Sequence, residues 1–146
     1  LWRISNHADL SGEGGRRFAA RWHSAGRPVI YTAEYPAGAL LEVLVHIRMI
    51  NLPDSFRLHR IEGPENALTT ETAGFDMLPS DWTQQESITR GIGNEWLEAR
   101  RTLCLRVPSA IVPHAWNYIL NPEHPAIRDI VITASVSFPL DQRLKA

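Results

Sequence analysis

The sequence contains little of what marks secreted and membrane proteins. Cys104 is its single cysteine, so no disulfide can form within the chain, and a reducing, cytoplasmic setting is expected. No apolar run approaches the roughly 20 residues that a membrane-spanning helix needs. The first residues also lack the basic stretch and apolar core of a secretion signal. We therefore expect a soluble protein without a membrane partner.

Charge and motif content argue against several further classes of protein and of binding site. The net charge is −1, and this near balance lacks the basic excess that is typical of nucleic-acid binders. The stretch "GEGGRR" contains neither G-x-G-x-x-G nor G-K-[ST], so no Rossmann fingerprint and no P-loop is present. The six histidines form no H-x-x-x-H pair, and one thiol cannot build a cysteine-rich site. We expect no metal and no direct binding of nucleic acid.

The length of 146 residues predicts one domain over residues 1–146. Strands are predicted for "LWRIS", "RPVIYTA", "FRLHRIE", "TLCLRVPS" and "DIVITASVSF". Pro36 can open a helix that covers residues 37–48, and "QQESITRGIGNEWLEARR" predicts two short helical pieces separated near Gly91 and Gly93. The segments "SGEGG" and "TAGFDMLPSDW" are predicted loops. Because strands and helices do not alternate regularly, we expect an α+β fold with flanking helices and a mixed or largely antiparallel sheet.

One carboxylate in the first predicted helix is the leading candidate for a functional residue. Glu42 lies between Leu41 and Val43, one turn before His46. Two interpretations stay open at this point. Glu42 either lies on the solvated face of an amphipathic helix, which composition alone favours, or stands at the rim of a cleft near Arg21 and Tyr31.

Several short motifs occur in the order of one known family. The segments "LWRIS", "GEGG", "RWHSAGRPVIYTAE", "ALLEVLVH", "VPSAIVP" and "NYILNP" resemble the RES domain, named for an Arg, a Glu and a Ser that are here Arg21, Glu42 and Ser109. The resemblance covers nearly the whole chain. It implies a fold similar to that of ADP-ribosyltransferase toxins and a toxin whose usual partner is an Xre-type helix-turn-helix antitoxin. Members of the family cleave NAD+ by hydrolysis or phosphorolysis, or transfer its ADP-ribose to a protein.

The resemblance also implies the residues of an NAD+ site. Glu42, Arg21 and Tyr31 are the expected catalytic residues, and the expected binding residues are Arg3, Arg21, Tyr31, Ser109 and Asn117. One departure is visible in "AARWHS", where His23 stands in place of an Asn and Ala20 in place of a Gly that many members carry. From residue type alone, each candidate also has an ordinary structural role, such as core packing for a strand tyrosine.

The chemistry of NAD+ agrees with a single carboxylate. The bond from C1′ to nicotinamide joins ribose to a cationic ring, so the leaving group departs neutral and needs no proton. Glu42 would hold a ribose hydroxyl and stabilise the positive charge that develops at C1′. An ADP-ribosyltransferase acting on a protein and a catalytically silent binding subunit remain alternatives. A homodimer and a role of His46 in tuning the carboxylate also stay open.

Overall fold

Seven strands form one mixed sheet in the computed structural model, which describes residues 1–46 and 55–137 together with Asp141 and Arg143. The strands are β1 (Trp2–Ser5), β2 (Ile30–Ala33), β3 (Arg57–Glu62), β4 (Thr70–Thr72), β5 (Cys104–Pro108), β6 (Trp116–Leu120) and β7 (Val131–Ser137). Their order across the sheet is β4-β5-β6-β2-β1-β3-β7. β4 runs parallel to β5, whereas the other neighbouring pairs are antiparallel. The predicted α+β fold with a largely antiparallel sheet is confirmed.

Within the described residues, three α-helices accompany the sheet: α1 (Glu13–Arg17), α2 (Pro36–Leu44) and α3 (Glu86–Ala99). Short 3₁₀ turns cover Phe75–Met77, Trp82–Gln84 and Pro125–Asp129. α2 begins at a proline, as predicted, because the missing N–H of that residue is not needed in the first helical turn. It ends at Leu44, before the predicted limit, and residues 47 and 48 of the predicted helix lie outside the described residues.

The prediction of a plain loop over "SGEGG" is wrong, because α1 begins inside it. Gly12 precedes the helix with a positive φ of 69°, a conformation that favours glycine. Glu13 then pairs with arginines three and four residues later, at 3.8 Å and 3.6 Å. Gly15 allows the backbone to approach β2, since a Cβ there would lie 2.4 Å from a methyl carbon of Val29. Local charge pairs and one close approach thus make a short helix where composition indicates a turn.

The expected break in the long helical segment is also absent. α3 is continuous through Gly91 and Gly93. A Cβ on Gly93 would lie 1.8 Å from the carbonyl oxygen of Trp22, whereas a Cβ on Gly91 would meet nothing within 4 Å. Gly93 therefore serves close packing of the helix on the segment before β2, and this tertiary contact outweighs its low helix propensity.

Two strands were missed by the periodicity of the sequence. β4 is only three residues long, and β6 carries the motif "NYIL" without a clean alternation of apolar and polar residues. The predicted loop "TAGFDMLPSDW" includes the last residue of β4, one whole 3₁₀ turn and the first residue of the next. Tertiary pairing with β5 and β2 stabilises these strands, and such pairing has no local signature.

The core lies on both faces of the sheet. On one face, α3 packs through Trp96 and Leu97 against the inward side chains of β5 and β6. On the same face, α2 packs through Ala39 against Ile4 and Ala33. The opposite face is covered by a cluster that includes Ile30, Ile61, Leu103, Leu120 and Ile130. Strand alternation therefore sends the side chain of Tyr31 toward the helices and that of Ile30 away from them.

Candidate active site

A cavity of about 580 Å³ lies where β1 and β2 separate. The two strands share a single register pair, Trp2 with Ala33, and do not pair beyond it. Both strands line the opening, and α1, α2, α3 and the ends of β5 and β6 complete its wall. The volume falls in the range of about 300–1,000 Å³ that is usual for ligand cavities.

Glu42 reaches this cavity from α2 and is held in place by the sheet. Its Oε1 accepts a hydrogen bond of 2.6 Å from Nδ2 of Asn117 and a long one of 3.5 Å from the Ser109 hydroxyl. Asn117 is the register partner of Ala33, which sets it under the helix that carries the carboxylate. Glu42 is half-buried and lines the cavity, so the placement at a cleft, and not the solvated face, is what the structure shows.

Ser109 stands behind the carboxylate and does not line the cavity. Its Oγ accepts hydrogen bonds of 3.1 Å from the backbone amides of Ile111 and Val112. With both lone pairs used in this way, the hydroxyl hydrogen is free to point toward Glu42. The serine thus orders the turn after β5 and orients the carboxylate.

Tyr31 projects from β2 into the cavity wall with its hydroxyl fully engaged. The hydroxyl oxygen accepts from the amide of Trp22 at 3.2 Å and lies 2.9 Å from Nδ1 of His23. Nε2 of His23 lies 3.1 Å from the carbonyl oxygen of Gly15. Because a carbonyl can only accept, Nε2 carries the hydrogen, Nδ1 accepts, and Tyr31 donates to it. Burial raises the pKa of Tyr31, so the phenol stays protonated and can donate.

Arg21 lies at the cavity beside the 3₁₀ turn that contains Trp82. Its Nη1 donates to the carbonyl oxygen of Thr83 at 2.8 Å, and its guanidinium carbon lies 5.7 Å from the centroid of the Trp82 ring. Nη2 is 4.0 Å from Glu86. The arginine side chain is 26% exposed and lines the cavity.

Sequence patterns did not predict two charged residues of the cavity wall, and both lie on α3. Arg90 donates through Nε to the carbonyl oxygen of Ala20 at 2.9 Å and pairs through Nη2 with Glu86 at 2.5 Å. Glu86 and Arg90 both line the cavity. Their spacing of four residues on a helix is typical of a surface ion pair, so no local signal distinguishes them from solvated residues.

Arg3 and His46 border the cavity less directly. The side chain of Arg3 alternates to the sheet face opposite Ile4, and its Nη1 donates to the carbonyl oxygen of Asp9 at 3.1 Å. Burial lowers the pKa of this arginine. His46 lies exposed at the mouth, one turn beyond Glu42. Of the predicted site residues, the structure thus brings Arg21, Tyr31, Glu42 and Asn117 to one cavity with Ser109 behind them, and Arg3 to its far side.

Within residues 1–46 and 55–137, no group of three or more His, Cys, Asp or Glu side chains is arranged to hold a metal ion. In the same part of the chain, no helix has the length and apolar character needed to span a membrane. Cys104 is buried, and burial raises the pKa of its thiol to about 11, which makes it a poor nucleophile.

The fold and site together define an α+β protein whose cavity of about 580 Å³ is lined by one oriented carboxylate and by arginines. The RES domain family matches residues 1–141, and the chain belongs to that family. This confirms the resemblance seen in the motifs.

Individual proteins agree with this membership. "Toxin Res" of Pseudomonas putida is 47% identical over 146 residues, which cover 99% of this chain and 98% of that protein. "Prs ADP-ribosylating toxin" of Sphingobium sp. is 36% identical over 139 residues, which cover 89% and 86%. The crystal structure of the M. tuberculosis MbcT–MbcA toxin–antitoxin complex matches with a TM-score of 0.73 at 24% identity, over 99% of this chain and 87% of that one. This structural likeness shows a shared fold.

Proposed function

We propose that this protein is the toxin of a toxin–antitoxin pair and that it cleaves the bond between nicotinamide and ribose in NAD+. The observation that carries the proposal is the Glu42 carboxylate, which projects into the cavity and is oriented by Asn117 at 2.6 Å. A fixed negative charge of this kind stabilises an oxocarbenium-like transition state, in which C1′ becomes positive. The names of the related proteins support the role of a toxin, and one of them names ADP-ribosylation.

The remaining side chains have matching roles in this proposal. Arg21 and Arg90 present cationic groups to the cavity and would bind the pyrophosphate, with Arg3 as a further contact from the far side. Tyr31 would pack against the nicotinamide ring, and Asn117 and Ser109 would orient Glu42 as well as the ligand. In this binding mode the pyrophosphate would lie beside the arginines and C1′ beside the carboxylate.

Replacement of Glu42 by Gln tests the assignment directly. The amide has the same size as the carboxylate and can still accept the hydrogen bond from Asn117, but it carries no charge. Loss of one preorganised electrostatic group costs on the order of 100-fold or more in kcat. Released nicotinamide is measured with purified protein and NAD+, and toxicity is scored in cells. The matched control is Glu65→Gln, at an exposed carboxylate outside the cavity. Turnover of NAD+ at the wild-type rate by Glu42→Gln would remove Glu42 from the mechanism.

A second candidate is transfer of ADP-ribose to a protein, favoured by the relative named as an ADP-ribosylating toxin. Cleavage of the same bond begins both reactions, and the acceptor is water, phosphate or a protein side chain. NAD+ labelled in its adenylate part distinguishes these acceptors. Transfer to water gives free labelled ADP-ribose, transfer to phosphate gives a phosphorylated ADP-ribose, and transfer to a protein gives a labelled protein band. A protein that binds NAD+ and releases no nicotinamide under any of these conditions would instead be the silent binding subunit.

A toxin of this kind needs restraint in its host cell, so we propose an Xre-type helix-turn-helix antitoxin as partner. The likeness in fold to the toxin–antitoxin complex supports a partner of this general kind. Since the net charge of this chain is only −1, recognition of DNA would fall to the antitoxin.

A further inference from the structure

The buried imidazole of His23 joins two parts of the cavity wall. Its side chain is 1% exposed. Nε2 donates to the Gly15 carbonyl of α1 at 3.1 Å, and Nδ1 accepts from the Tyr31 hydroxyl of β2 at 2.9 Å. These two bonds use the full hydrogen-bonding capacity of a neutral histidine. The imidazole is therefore a fixed link between α1 and the tyrosine.

The backbone of His23 holds the segment that carries Arg21. The amide of Ala20 donates to the His23 carbonyl at 3.1 Å, and the amide of His23 donates back to Ala20 at 3.4 Å. Within the turn closed in this way, the amide of Trp22 donates to the Tyr31 hydroxyl. One residue thus connects Arg21 and Tyr31, which are both expected to contact NAD+.

This arrangement requires an uncharged ring. A second proton would put a hydrogen on Nδ1, and the Tyr31 hydroxyl would lose its acceptor. Burial lowers the pKa of His23 below its ordinary value of 6.5, the positive charges of Arg90 and Arg27 lower it further, and the carbonyls of Gly15 and Phe18 oppose the shift. Protonation therefore begins only at acid pH. When it occurs, Nδ1 can only donate, so its bond to Tyr31 must reverse and the hydroxyl hydrogen of the tyrosine loses its acceptor.

We propose that His23 is a positioning residue whose neutral imidazole fixes the Tyr31 hydroxyl and, through it, the tyrosine wall of the cavity. The proposal rests on the function proposed above. His23 does not contact the reacting atoms in this scheme. It acts by holding Tyr31, and turnover falls when its Nδ1 takes up a proton.

Two substitutions that introduce an amide side chain test the two hydrogen bonds of the His23 ring one at a time. In His23→Asn the short side chain places an amide oxygen near the former Nδ1, where it can still accept from Tyr31. In His23→Gln the longer side chain reaches the former Nε2 and can donate to Gly15, but it leaves Tyr31 without its acceptor. His7→Asn is the control, because His7 is exposed and lies outside the cavity lining.

The expected result is a split between these variants. His23→Gln lowers kcat about tenfold at neutral pH, which corresponds to the loss of one hydrogen bond of ordinary strength, with a smaller change in KM. His23→Asn keeps most of the kcat. Wild type and His7→Asn lose kcat as the pH falls below 6.5, the ordinary value for histidine, and His23→Asn does not lose it there. Equal kcat values in His23→Asn and His23→Gln, or an unchanged acid limb in His23→Asn, would overturn the proposal.

A second measurement separates this proposal from the proposed reaction. Nitrogen-correlated NMR of the wild-type imidazole reports its tautomer and its protonation without any turnover. We expect the Nε2–H tautomer at neutral pH and protonation only below 6.5. An Nδ1–H tautomer, or a charged ring at neutral pH, contradicts the role of His23 whether or not NAD+ is cleaved. Absence of nicotinamide release together with the expected tautomer would instead reject the reaction.

Discussion

At the scale of single residues, the guanidinium of Arg21 both contacts neighbouring residues of the fold and lines the cavity. One nitrogen donates to the Thr83 carbonyl, and the planar group lies beside the Trp82 ring. These contacts set the direction in which the remaining donors point, so the arginine is already arranged before any ligand binds. Preorganisation of this kind saves the entropy of ordering a long side chain on binding.

We therefore predict that Arg21→Ala weakens the binding of NAD+ by about tenfold to a hundredfold, because a charge-assisted contact to an anion is made in the ground state as well as in the transition state. Arg21→Lys should restore affinity only in part, since a point charge does not reproduce the planar fork. Calorimetry with the Glu42→Gln protein as background measures affinity without turnover. Arg17→Ala, at a 70% exposed arginine of α1, is the control. Unchanged affinity in Arg21→Ala would assign that residue to the fold alone.

At the scale of elements, the site depends on how closely α3 approaches the segment before β2. Gly93 meets the carbonyl of Trp22, Thr89 donates to the carbonyl of Arg21 at 2.6 Å, and Arg90 donates to the carbonyl of Ala20 at 2.9 Å. Three successive carbonyls thus lie against one face of the helix, and two of them accept hydrogen bonds from it. The position of Arg21 follows from the position of α3.

A pair of substitutions in the same helix tests this dependence. Gly93→Ala should lower the free energy of unfolding by about 1–3 kcal/mol or more, because its Cβ would lie 1.8 Å from the Trp22 oxygen and the helix must move. Gly91→Ala, where a Cβ meets nothing within 4 Å, should raise it by up to about 1 kcal/mol through helix propensity. Denaturant unfolding measures both. Equal stabilities of the two variants would show that Gly93 does not pack closely against the carbonyl of Trp22.

At the scale of the whole molecule, the mouth of the cavity combines apolar and cationic groups. Phe18 is 73% exposed and Val45 is 56% exposed, and both border the cavity that contains Arg21 and Arg90. A segment of the proposed antitoxin that carries a carboxylate next to apolar side chains would match this mouth, since the carboxylate can take the place of the pyrophosphate.

We predict that the antitoxin inhibits by occlusion of this cavity. An NAD+ analogue that is not cleaved should then compete with the antitoxin and raise the apparent dissociation constant of the antitoxin by a factor of one plus the ratio of the analogue concentration to the analogue's own dissociation constant. The same analogue should not compete in the Arg21→Ala variant at concentrations that fail to bind it. An antitoxin that binds equally well to the filled cavity and still abolishes activity would require a remote inhibitory contact instead.

Local patterns in the chain were enough to predict many elements. Pro36 at the start of α2 and alternation in β3 and β5 follow from φ restriction and from the two-residue period of a strand. The order of motifs was enough to predict the family. Glu42 was recognised as the leading carboxylate by the same motifs, because composition by itself favoured a solvated helix face for it.

The tertiary structure alone decided what those residues touch. Glu42 and Asn117 are 75 positions apart, and they meet because β6 pairs with β2 in the register that sets Asn117 beside Ala33. The continuity of α3 likewise depends on the distant Trp22, and the tautomer of His23 depends on Gly15 and Tyr31, which lie on separate elements of the fold. The sequence by itself determined the chemistry of the side chains and the short-range periodicity, which act within a few residues. Contacts between distant segments depend on strand register and helix docking, and these are properties of the assembled core.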